Sequence, residues 1–89
     1  MKPSAIFDRW IKDNAERIAD DGADFKRLIA FVAFELRMIE HNRNGMSPGT
    51  VDAITKRFRQ LRTQCASRRI APPEIELPKI KVVLPRRPR

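Results

Sequence analysis

Residues 25–43 read FKRLIAFVAFELRMIEHNR, and no other stretch of this 89-residue chain constrains its fold as tightly. Phe25, Leu28, Ile29, Val32, Leu36 and Ile39 recur at three- and four-residue steps, so a helix gathers them on one stripe. Phe31, Phe34 and Met38 fill much of a second stripe. A helix that is apolar on two faces has to be covered on both, which makes this segment the predicted centre of a helical bundle. Asp21 or Asp24 can cap its start, and Asn42-Arg43-Asn44-Gly45 supplies its end.

One neighbour lies upstream. Ile6, Phe7, Trp10, Ile11, Ala15 and Ile18 keep helical spacing behind Ser4, a suitable N-cap. They predict an amphipathic helix of about four turns that stops in Asp20-Asp21-Gly22. The other neighbour lies downstream. Ser47-Pro48 is an N-cap followed by proline at the first helical position, and Val51, Ile54, Phe58, Leu61 and Cys65 then form a narrow seam at steps of 3, 4, 3 and 4. After Ile70 the prolines at 72, 73, 78, 85 and 88 exclude further helix. The expected organisation is therefore all-α. It comprises a helical domain over 1–70, with two amphipathic helices and a basic third, and a flexible Pro-rich basic tail over 71–89. Within the tail, residues 79–84 are able to form a short edge strand.

Charge divides the chain more sharply than hydropathy does. The net charge is +8, with 13 Arg and 6 Lys. Residues 1–45 carry eight basic and eight acidic side chains, so residues 46–89 hold the whole excess. A neutral packing half joined to a cationic half suits a polyanionic partner, and Arg in particular grips phosphate with two hydrogen bonds. The candidate contacts are Thr50, Lys56, Arg57, Arg59, Arg62, Arg68, Arg69, Arg86 and Arg87. Two helices joined by a turn, the second opening on Ser47-Pro48-Gly49-Thr50-Val51, resemble the start of a helix-turn-helix recognition helix. The HNRNGM connection is longer than the usual three- or four-residue turn. In that arrangement Thr50, Lys56 and Arg57 would be the groove contacts.

Chemistry of other kinds finds little to stand on. His41 is the only imidazole, in a polar stretch without a nearby Ser or Cys, and it reads as a residue set against a helix dipole. Cys65 falls on an apolar seam and reads as a small buried hydrophobe. One Cys excludes an internal disulfide and a Cys-rich zinc site. Asp20, Asp21 and Asp24 lack the alternating ligands and terminal Glu of a calcium loop, and the three glycines are too isolated to cradle phosphate. No enzyme activity, cofactor or metal is expected. Charge throughout MKPSAIFDRW argues against a signal peptide, and no run approaches the roughly 18 apolar residues of a spanning helix. The expected compartment is the reducing cytoplasm.

These readings converge on a small DNA-binding protein, a homodimeric regulator or accessory factor that contacts phosphates through its third helix and tail, with DNA favoured over RNA. Dimerisation is expected because a chain this short buries only roughly 60–65% of its unfolded surface. The alternative is an adaptor or inhibitor that binds a protein through its apolar helices and residues 72–89.

Overall fold

The computed structural model describes residues 2–42 and 44–84, and among these four helices form: α1 (Pro3–Asp13), α2 (Ala15–Asp20), α3 (Ala23–His41) and α4 (Pro48–Ser67). The helical class agrees with expectation, but the number does not: the single first helix is two. Asn14 makes the break. Its side-chain Nδ2 donates to the Trp10 carbonyl at 2.8 Å, and its backbone N–H approaches the carbonyls of Trp10 and Ile11 at 3.1 and 3.3 Å. With φ −114° and ψ 16° it leaves helical geometry, the competition with the backbone for which Asn is known. Apolar spacing continues across Asn14, so periodicity alone does not reveal the bend.

Two expected caps are also replaced. Lys2, not Ser4, is the N-cap of α1, with Pro3 in its first turn. Ser4 instead donates its backbone N–H and its hydroxyl to the two carboxylate oxygens of Glu40, at 3.0 and 2.5 Å, fastening α1 to the far end of α3. Those two hydrogen bonds hold the Glu40 carboxyl below its ordinary range. Gly22, at φ 87°, precedes α3 in place of an Asp cap. The start of α4 is as expected: Ser47 Oγ accepts the Thr50 N–H at 3.3 Å, and Pro48 follows at a position where no amide donor is needed.

α3 packs against both α1 and α4 and is the centre of the bundle. Its stripe of Phe25, Leu28, Ile29, Val32 and Leu36 is buried against Phe7 and Trp10 of α1, Ile18 of α2, and Phe58, Leu61 and Cys65 of α4. Phe7 and Trp10 stack with ring centroids 5.5 Å apart. Burying side chains of this size stabilises the fold by roughly 1.5–3 kcal/mol each before conformational entropy is charged against it. Cys65 lies wholly inside, where burial pushes its thiol up and keeps it protonated.

The helices end at Ser67, yet the core continues beyond them. α4 closes with Arg69 at φ 57°, its N–H bonded to the Ala66 carbonyl, while the Ile70 N–H reaches the Cys65 carbonyl at 2.9 Å. This pair of bonds is a Schellman motif with Arg where Gly is usual. Ile70 and Ile75 then join the core, Leu77 packs on its edge, and the Ala71 carbonyl accepts the Trp10 indole N–H at 2.8 Å. Residues 71–77 of the segment expected as a flexible tail thus run against the helices. Farther on, Met46 and Val82 form one parallel bridge, in which Met46 N–H donates to Lys81 O and Val83 N–H to Met46 O, both at 2.8 Å. Among the described residues this is the whole of the pairing in the expected strand 79–84. Gly45, at φ 92°, permits it: a Cβ there would stand 2.6 Å from Lys81 O.

Candidate nucleic-acid interface

α4 carries the cations that charge counting singles out, and its own geometry sorts them. The seam Ile54, Phe58, Leu61 and Cys65 faces the core. At about 100° per residue, Lys56 and Arg59 point away from that seam and Arg62 stands beside them. All three are exposed. Lys56 lies 3.1 Å from Asp52 one turn earlier, a solvated pair of little energetic weight. Arg59 and Arg62 have no ion pair among the described residues. Arg62 does share a recess with Pro72, Pro73, Glu74, Ile75 and Glu76, so two tail carboxylates bound one side of the cationic surface.

Thr50 and Arg57 lie on a different flank, the one turned toward α3. Thr50 Oγ1 is 2.8 Å from Ser47 Oγ and serves the helix start. The Arg57 guanidinium sits over the Phe31 ring, 5.2 Å from its centroid, and its Nε lies 2.8 Å from Glu35 Oε1. Glu35 is the one buried charged residue among those described, 5% exposed. Arg57 approaches it off the line of the N–H, so neither carboxylate oxygen gains a hydrogen bond and the contact is coulombic. Desolvation outweighs that attraction and pushes the Glu35 carboxyl up. An isolated Glu between Phe34 and Leu36 carries no periodic signal of its own. Its position between the two apolar stripes was the available clue.

Arg68 is built into the fold. It lies over the Phe25 ring at 4.4 Å, reaches Asp21 Oδ1 at 3.6 Å, and hydrogen-bonds Gln64, thereby joining the end of α4 to the start of α3. Arg69 is exposed at the helix exit. Arg86 and Arg87 lie outside the described residues. Of the nine candidate contacts, the outer face of α4 therefore brings together Lys56, Arg59 and Arg62, with Arg69 at its end; Thr50, Arg57 and Arg68 are placed elsewhere and have structural partners. Among the described residues no cluster of His, Cys, Asp and Glu could hold a metal ion, and no helix is long and apolar enough to cross a membrane. The chain matches no family model, no curated protein and no solved structure.

Proposed function

We propose that the protein is a small DNA-binding module, acting as a homodimeric regulator or accessory factor, that holds the phosphate backbone with the outer face of α4. The observation that carries this reading is the exposed set Lys56, Arg59 and Arg62 on α4, with Lys56 and Arg59 turned away from the seam and Arg62 on the adjoining flank, two of them without an ion-pair partner among the described residues. Three cations within about 9 Å of helix axis, at 1.5 Å rise per residue, match the dense charge of a duplex. Arg69 adds support. Exposed at the exit of α4, it adds a cation at that end of the helix, in a left-handed backbone position that Gly fills at lower cost.

Such binding is read through salt. Substituting Arg59→Gln and Arg62→Gln together should leave the circular dichroism spectrum unchanged, weaken binding to every duplex sequence alike, and lower the salt slope by roughly two units, about 0.9 for each phosphate that is no longer neutralised. Unchanged affinity and slope in the double variant would refute the α4 interface.

One observation favours a second reading. Val82, Val83 and Leu84 are exposed, Leu84 at 74%, on an extended segment that among the described residues pairs along one edge, to Met46. A free edge of this kind suits strand addition to a partner's sheet, the adaptor or inhibitor role. Loss of a protein partner on Val82→Pro, with DNA affinity intact, would decide for it.

A further inference from the structure

α3 presents a second seam that the bundle leaves open. Asp24, Arg27, Phe31, Phe34, Met38 and His41 follow one another at steps of 3, 4, 3, 4 and 3, the spacing of a coiled-coil contact line. All lie outside the core stripe, and the two aromatic rings at its middle are 48% and 63% exposed. Each flank of the seam is recessed. On the α4 side a groove of about 360 Å³ is floored by the small residues Gly49, Thr50 and Ala53. On the other side a hollow of about 300 Å³ opens over Ala30. Ridges beside hollows are what knobs-into-holes packing requires of a helix face.

We infer that this seam is the docking site for α3 of a second copy of the chain, running antiparallel across a two-fold axis between residues 32 and 33. This inference rests on the homodimer in the reading above but not on nucleic acid. The argument is the register. With the axis there, residues whose numbers sum to 65 face each other, and every seam residue meets another seam residue: Phe31 meets Phe34 of the other copy, Arg27 meets Met38, and Asp24 meets His41. The aromatic pair closes the centre, the Arg27 stem lies along Met38, and acidic and basic ends coincide. Antiparallel helix dipoles also oppose favourably. A parallel pairing in register would instead set Arg27 on Arg27 and Asp24 on Asp24, with like charges in contact. A self-complementary surface is what a two-fold dimer needs, so the occupant is another copy. Arg57, held over Phe31, keeps the central ring in place on each side.

Sedimentation equilibrium without DNA tests the occupancy, and cysteine pairing tests the direction. The full chain should sediment as a dimer, whereas Phe34→Glu, at an exposed position, should sediment as a monomer with an unchanged circular dichroism spectrum. A monomeric wild type, or a Phe34→Glu variant that stays dimeric, would overturn the seam. On mixing and oxidising Asp24→Cys and His41→Cys chains, disulfides should join one variant to the other, resolved by mass. A predominance of 24-to-24 and 41-to-41 links would overturn the antiparallel register. The two proposals fail separately: a dimer that ignores DNA leaves the seam standing, and a monomer that binds duplex with a steep salt slope leaves the α4 face standing.

Discussion

At the scale of single residues, the Glu35 carboxyl is the least comfortable group in the bundle. Its folded state prefers the protonated form, so the folded chain binds more protons than the unfolded chain above the ordinary carboxyl value of 4.5. Its contribution to stability is therefore most favourable below 4.5 and declines as pH rises from there to the raised value. Replacing Glu35→Gln removes the buried charge and strands only Arg57, which reaches water. At pH 7 the variant should be more stable by about 1 kcal/mol, the scale of one poorly satisfied buried group, and the gain should vanish near pH 4. Urea unfolding at the two pH values checks this; an equal gain at both would exclude charge as the cause. Arg69 makes the opposite kind of case. Arg69→Gly relieves a positive φ and should add about 1 kcal/mol of stability while lowering the DNA salt slope by roughly one unit. A stabilised variant with undiminished slope would show that Arg69 touches no phosphate.

At the scale of elements, what could be read from the chain depended on whether one local rule sufficed. Ser47-Pro48 marked the start of α4 because cap chemistry is confined to adjacent residues, and the stripe from Phe25 to Leu36 emerged because burial follows a single period. Asn14 stayed hidden because a one-residue break leaves the spacing of apolar residues intact on both sides. The inward turn of Ile75 and Leu77 was visible as alternation in Glu74-Ile75-Glu76-Leu77, but nothing local says which surface an extended segment lies on. The phosphate-contact set divided for a related reason: composition counts cations, whereas helical phase and partners such as Phe31, Glu35 and Asp21 decide which of them face outward. Gly45 likewise reads as a helix stop but works as a gap for the returning chain, since α3 has already ended at His41. Gly45→Ala should accordingly cost about 1–2 kcal/mol and expose the Met46 and Val83 amides to hydrogen exchange. Protection of both amides at wild-type levels would contradict this role.

At the scale of the whole molecule, the segment after α4 belongs to the stability of the bundle as well as to its charge. Ending the chain at Ala71 keeps the acceptor for Trp10 but removes Ile75 and Leu77 from the core and a net +3 contributed by residues 72–89. The shortened protein should lose about 2–5 kcal/mol, the range for truncating one large buried aliphatic side chain. Thermal unfolding within a degree of the full chain would show that the returning segment is dispensable. The bond from Trp10 to Ala71 spans 61 residues, and it orders events in time. A ribosome adding about 5–20 residues per second makes the acceptor roughly 3–12 s after the donor. Throughout that interval the indole N–H of the emerging chain lacks its native acceptor, so α1 completes its hydrogen bonding only after residue 71 has been made.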